Sequence, residues 1–171
     1  MFVDIIASTH LAQTRTPDEV VEILNAFFDA VVRAVGDEEG LINKFAGDGA
    51  MCIFGAPDDQ PDHAARALRA ARQLEKKLQS IDSIEAAVGI SSGEVVAGNV
   101  GSLDRYEYTV VGDPVNEASR LTEQAKTTSA RVLASERSVV AAGDEGANWA
   151  QCETFQLRGR AEPTVAYEPR S

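Results

Sequence analysis

Ile42–Pro57 reads INKFAGDGAMCIFGAP. Two short runs rich in apolar residues flank Gly47-Asp48-Gly49. A Gly-Asp-Gly centre between such runs predicts a β-hairpin, because glycine accepts the positive φ that tight turns demand. The hairpin is expected over roughly Leu41–Phe54, with one carboxylate, Asp48, at its tip and one lysine, Lys44, on the incoming strand. Buried strands seldom hold either residue. A solvated hairpin tip accounts for both equally well on this stretch alone. The balance shifts with Asp4, which lies in another apolar run, Phe2-Val3-Asp4-Ile5-Ile6. Two carboxylates at the ends of adjacent strands can hold a divalent cation against phosphate oxygens, since hard cations take oxygen ligands.

Outward from the hairpin, Phe2–Ile6 predicts a buried strand and Ala7-Ser8-Thr9-His10 a loop with free backbone N–H groups. Thr16-Pro17-Asp18-Glu19 opens a helix, with Thr16 as N-cap, Pro17 at the first position and Glu19 at the capping-box place. Val20, Ile23, Leu24, Phe27, Phe28, Val31, Val32 and Val35 follow at helical spacing, and Gly36 and Gly40 end the helix. Asp62–Leu78 predicts a second helix. Ser83–Ser91 and Glu94–Val100 read as a second hairpin about Ser92-Gly93, broken by Gly98-Asn99-Val100-Gly101. Asp104–Val111 predicts a strand or projecting ribbon, in which Tyr106 and Tyr108 are interface aromatics or ordinary strand packing. Gly112-Asp113-Pro114 turns into a third helix, Val115–Lys126. Arg131–Ala134 and Glu136–Ala142 read as a short strand and helix, and Trp149–Leu157 and Thr164–Glu168 as closing strands. The order is β-α-β-β-α-β with a C-terminal β/α extension. That predicts an α+β fold with a ferredoxin-like core, an antiparallel sheet with helices on one face, over a single domain spanning residues 1–171. The first strand and first hairpin are neighbours in that order, so Asp4 and Asp48 can meet.

The formal net charge is −11. A surface this acidic repels phosphate backbones, which argues against nucleic acid and anionic membranes as partners. A small anionic ligand fits if metal ions carry it. No apolar run approaches the ~18 residues of a membrane span, and no secretory leader is expected. Cys52 and Cys152 read as buried free thiols in a reducing, cytoplasmic compartment, in keeping with a free protein or the cytoplasmic face of a membrane-anchored parent. His10 and His63 have no partner at short spacing and read as surface residues. Asp4 follows only Met1-Phe2-Val3, a short lead-in for a central strand, so a longer parent protein with upstream regulatory domains is expected.

Taken together, Phe2-Val3-Asp4-Ile5, Lys44-Phe45-Ala46-Gly47-Asp48, the run Tyr108–Leu121 (YTVVGDPVNEASRL) and Leu157–Pro163 (LRGRAEP) resemble the catalytic domain of class III nucleotidyl cyclases, in order and over nearly the whole chain. The resemblance implies an adenylyl cyclase that converts ATP to 3′,5′-cyclic AMP and pyrophosphate. It gives Asp4 and Asp48, with the Ile5 backbone beside them, the task of holding two Mg²⁺ or Mn²⁺ ions per site. The backbone of Ile5, Ala7, Ser8 and Thr9 would wrap the triphosphate. Lys44 and Thr109 would select the base, Asn116 would orient the ribose and Arg120 would stabilise charge on the α-phosphate. Arg160 lies near the position of a cation on the terminal phosphates. The resemblance also implies a head-to-tail homodimer, with Asp4 and Asp48 from one subunit and Lys44, Thr109, Asn116 and Arg120 from the other in each site.

Elementary chemistry supports these roles. Cyclisation needs a deprotonated 3′-hydroxyl aimed at the α-phosphorus and a neutralised leaving group. Asn116 and Arg120 are four apart on a helix and point one way, and an arginine fork suits phosphate oxygens. Read alone, Asn116 is equally a helix-start residue with a local hydrogen bond, and Arg120 a solvated charge. The sequence departs from the family at three places. Thr109 stands where adenylyl cyclases commonly carry Asp, and its hydroxyl discriminates less. Ala7 stands where the family usually has Gly, at a cost of about 1 kcal/mol if positive φ is needed. The first strand is short. A guanylyl cyclase and a non-catalytic cyclase-like dimerisation or nucleotide-sensing module are the alternatives. A diguanylate cyclase would carry a Gly-Gly-acidic-acidic-Phe signature, which is absent here.

Overall fold

The structure, a computed structural model, describes residues 1–81, 84–102 and 104–170. Phe2–Ile5 (β1) leads into a short helix, Ser8–Thr14 (α1), and then into Pro17–Gly36 (α2). The start of α2 is dictated locally. The Thr16 hydroxyl accepts from the Glu19 amide at 3.3 Å, and the Glu19 carboxylate accepts from the Thr16 amide at 2.8 Å. The hairpin follows as Leu41–Ala46 (β2) and Gly49–Ile53 (β3), joined by Gly47-Asp48, with Gly47 at φ 62°. Then come His63–Leu78 (α3), Ala86–Ile90 (β4), Val96–Ser102 (β5), Arg105–Val111 (β6), Asp113–Ala125 (α4), Val132–Ser135 (β7), Glu136–Ala141 (α5), a 3₁₀ segment at Gly143–Asn148, Trp149–Phe155 (β8) and Thr164–Pro169 (β9).

Seven strands form one sheet in the order β2-β3-β1-β4-β7-β9-β8. Its first four strands have the ferredoxin-like order, and β1 is flanked antiparallel by β3 and β4. Phe27, Val31, Leu68 and Leu74 of α2 and α3 are fully buried against one face with Val3 and Val88. The other face, with Ala87 and Leu133, carries α4 through Leu121 and Ala125. The helix sits so close that a Cβ on Gly89 would lie 2.2 Å from the Ala118 carbonyl oxygen. Only a glycine at that point of β4 lets α4 seat on the sheet.

The structure corrects several expectations. Helices cover both faces of the sheet, because α4 presents an apolar stripe of its own, and β4 pairs with β7 in parallel rather than antiparallel. Ser8–Thr14 is helical. That helix buries no residue, so it has no apolar periodicity to betray it. The second hairpin does not form: β4 is a central strand of the main sheet, and β5 runs through the glycines to Ser102 and pairs with β6 in a separate ribbon. Ser83, the expected start of that hairpin, lies outside the described residues. Cys152 is exposed on β8, and His63 is half-buried beneath Gly55 with its Nδ1 3.2 Å from the Gln60 carbonyl oxygen. Among the described residues, no helix is long and apolar enough to cross a membrane.

Candidate active site

Asp4 is paired in register with Gly49, the residue after Asp48, and the Ile5 amide donates to the Asp48 carbonyl oxygen at 3.2 Å. The Asp4 side chain lies across the Gly49 backbone: a Cβ there would stand 1.8 Å from Asp4 Oδ1 and 2.8 Å from the Val3 carbonyl oxygen. The glycine is a cradle for that carboxylate. Asp4 and Asp48 are both half-buried, at the same end of neighbouring strands. Among the described residues, no group of three or more His, Cys, Asp or Glu side chains is placed to hold a metal. Two carboxylates supply part of the oxygen shell of Mg²⁺ or Mn²⁺, and phosphate, backbone carbonyl and water can complete it. The donor set therefore fits a hard cation that arrives with a phosphate-bearing substrate.

Immediately after β1 the chain turns on Ala7, at φ 57° and ψ 32°, which is the N-cap of α1. The Ile6 amide is taken by the Glu85 carbonyl oxygen, while the first amides of the helix, at Ser8 and Thr9, have no intrahelical acceptor. Of the backbone amides in this stretch, those of Ile5 and Ile6 therefore already donate, to the Asp48 and Glu85 carbonyl oxygens.

A cation absent from the sequence reading stands beside the two aspartates. Lys126, just past the end of α4, puts Nζ 3.1 Å from Asp4 Oδ2 and 2.9 Å from Glu123 Oε1. Partial burial pulls its ammonium down, but the hydrogen bonds with Glu123 and Asp4 outweigh that and leave its pKa above the ordinary lysine value.

Lys44 and Thr109 each contact the facing strand through a different neighbour. Lys44 Nζ is 2.8 Å from Glu107 Oε1. Asn43, at the irregularity in the β2–β3 register, donates from Nδ2 to the Tyr108 carbonyl oxygen at 2.6 Å and accepts from the Thr109 hydroxyl at 3.3 Å. Asn43 and Glu107 were not legible beforehand. The bulge that turns Asn43 toward β6 has no local sequence signal, and an exposed Glu in a charged strand reads as a solvated face.

On α4, Asn116 and Arg120 are both exposed, and neither takes part in a side-chain hydrogen bond or ion pair among the described residues. The intervening Glu117 points inward and is 4% exposed. Its carboxylate accepts from Ser91 at 2.6 Å and from Thr164 at 2.8 Å. Arg160 packs here too, 2.6 Å from Asp113 Oδ2 and 3.1 Å from Glu117 Oε1.

The adenylate and guanylate cyclase catalytic domain family matches residues 1–167. This chain belongs to that family. A relative in Mycobacterium tuberculosis, described only as uncharacterised, is 49% identical over 168 residues, 96% of this chain and 31% of the relative. The cyclase domain therefore spans about a third of the length of that curated relative. The crystal structure of the adenylyl cyclase CyaB from P. aeruginosa superposes with a TM-score of 0.86 at 25% identity, covering 99% of this chain and 91% of the other. That of the guanylyl cyclase Cya2 gives 0.80 at 31% identity, covering 98% and 88%.

Within the cyclase domain, the residues singled out from sequence lie in three places. Asp4 and Asp48 meet at one end of β1 and β3 with Lys126. Lys44 and Thr109 each take part in the β2–β6 contact, through Glu107 and Asn43 respectively. Asn116 and Arg120 stand on an outer face of α4. An α-helix turns about 100° and rises about 1.5 Å per residue, so Arg120 lies about 9 Å along the axis and about 120° around it from Lys126. Arg120 thus leaves α4 in a different direction from Lys126, the residue of this segment that contacts Asp4.

Proposed function

We propose that this domain is an adenylyl cyclase that converts ATP to 3′,5′-cyclic AMP and pyrophosphate at sites shared by two copies arranged head to tail. The observation that carries this reading is the division just described: Asp4 cradled on Gly49 beside Asp48 at one place, and Asn116 and Arg120, exposed and without a side-chain partner among the described residues, elsewhere on α4. One chain then offers two half-sites, and a second copy completes both.

In this reading Asp4 and Asp48 hold two Mg²⁺ or Mn²⁺ ions, with the Ile5 backbone beside them. When bound, these ions lower the pKa of the 3′-hydroxyl and neutralise the pyrophosphate as it leaves. The amides of Ala7, Ser8 and Thr9 cap the triphosphate. The Asn116 amide of the second copy holds the ribose so that the 3′-oxygen lies in line with the α-phosphorus. Arg120 sets its guanidinium on the non-bridging α-phosphate oxygens, where negative charge accumulates. Lys44 donates to the unprotonated N1 of adenine, and the Thr109 hydroxyl accepts from the exocyclic amino group. Arg160 reaches the terminal phosphates only by giving up Asp113, its exposed partner, while Glu117 keeps hold of it.

A guanylyl cyclase is the second reading. The Glu107 carboxylate beside Lys44 favours it, since a carboxylate accepts from guanine N1–H, and the 31% identical Cya2 is a guanylyl cyclase. The partial coverage of the relatives fits a longer parent with regulatory domains, and a nucleotide substrate with two free thiols fits the cytoplasm. The deciding experiment incubates the purified domain with ATP or GTP and Mn²⁺ and identifies products by chromatography. Cyclic AMP with pyrophosphate, formed faster than cyclic GMP, is the expected result. Faster cyclic GMP formation supports the second reading. No cyclic product from either nucleotide means a non-catalytic module.

A further inference from the structure

Lys126 joins two carboxylates on different elements, Asp4 on β1 and Glu123 one turn back on α4. The Asp4 contact is the more sheltered: the Lys126 and Asp4 side chains are 28% and 29% exposed, against 54% for Glu123. The ammonium takes Asp4 Oδ2, while Oδ1 rests over Gly49. An ammonium and a divalent cation cannot share that oxygen, because they compete for the same lone pairs and repel each other. Lys126 has a second acceptor within reach of its flexible stem, so it can leave Asp4 without moving α4.

We propose that Lys126 is an internal competitor for the cation at Asp4, a role that rests on the assignment of Asp4 as a metal ligand. With the cation away, Lys126 caps Asp4 and relieves the repulsion between it and neighbouring Asp48. When the cation enters, the ammonium passes to Glu123. Lys126 therefore weakens the intrinsic affinity of the aspartates for metal, so that stable occupancy needs the further oxygens of a bound triphosphate. It acts through Asp4 and is a positioning residue.

The test titrates Mn²⁺ alone into the nucleotide-free chain and reads bound ion by water-proton relaxation. Lys126→Gln is expected to bind Mn²⁺ about two- to fivefold more tightly, the scale of a partly exposed ion pair. Glu123→Gln is expected to bind more weakly by a similar factor, because Lys126 is left with Asp4 alone. In the Lys126→Gln background that effect should vanish. Equal weakening in both backgrounds would reduce Lys126 to a distant charge and overturn the proposal. So would unchanged or weaker binding in Lys126→Gln, or no Mn²⁺ binding by either chain. Asp4→Asn separates the two assignments. If it keeps wild-type Mn²⁺ binding, the metal assignment itself fails. If it loses binding while Lys126→Gln does not tighten it, only the competitor role fails. Thermal unfolding of each variant without metal checks that the fold is retained.

Discussion

Lys44 Nζ lies 2.8 Å from Glu107 Oε1, which ties the hairpin that carries Asp48 to the ribbon that carries Thr109. The hydrogen bond from Lys44 is the main reason the Glu107 carboxyl is held below its usual range, and the lysine's charge adds to it. A lowered carboxyl pKa means that the pair is in place above the ordinary glutamate range and is lost as pH falls through the lowered value. At neutral pH the carboxylate is therefore ionised and stands beside Lys44, the lysine proposed to select the base.

Glu107→Gln replaces a charged acceptor for guanine N1–H by a neutral amide and loosens the hold on Lys44, leaving it freer for adenine N1. The preference for ATP over GTP is expected to rise about ten- to thirtyfold, the scale of about 1.5 to 2 kcal/mol for a hydrogen bond to a charged group. Lys44→Glu is expected to lower that preference. Both are read as the ratio of kcat/KM for the two nucleotides at matched Mn²⁺. An unchanged ratio in Glu107→Gln would remove the carboxylate from base selection.

Gly49→Ala places a methyl where Asp4 Oδ1 now rests, 1.8 Å away, with the Val3 carbonyl oxygen behind it. Asp4 must swing off its cradle. Cyclase activity is expected to fall at least about 100-fold, with a stability loss of about 1–3 kcal/mol from overpacking. Gly36→Ala is the control. Its added Cβ meets nothing within 4 Å at the end of α2, so activity should be unchanged and stability equal or higher. Urea unfolding and turnover together decide the point: a Gly49→Ala chain with wild-type turnover would remove Asp4 from the chemistry.

The thiols give a check on the fold that is independent of function. Burial pushes the Cys52 thiol up to about 11, so at pH 8 it is protonated and enclosed. Cys152 is exposed, although burial of part of the group raises its pKa as well. A thiol-reactive disulfide reagent is expected to find one group per native chain, Cys152, and two after unfolding in guanidinium. Rapid reaction of Cys52 in the native chain would contradict the packing of β3.

What the sequence allowed to be read was what is local or topological. The capping box at Thr16 and Glu19 and the glycine-bearing hairpin loop each declare themselves within a few residues. The order of strands then brings Asp4 to Asp48. Pairing beyond neighbours was not legible. Ser92-Gly93 has turn composition, but the chain leaves the main sheet there because β4 is taken by β1 and β7. Ala7 was readable as a departure whose cost depended on backbone conformation, and its φ of 57° shows that the left-handed region is indeed used. Lys126 escaped because Glu123 three residues earlier makes it look like one end of a surface helix pair. Its contact with Asp4 exists only after α4 has seated on β4.

The shared site is the centre of the account, and mixing two inactive variants tests it most directly. Asp48→Ala and Arg120→Ala homodimers should each be inactive, since both of their sites carry the same lesion. In a mixed dimer one site collects both lesions and the other neither. After subunit exchange, activity is expected to rise toward a ceiling of about one quarter of wild type per chain, because random twofold pairing makes half the dimers mixed, with one intact site of two. No rise, with mixed dimers demonstrated by pull-down of a tag on one variant, would contradict the division of the site between two copies.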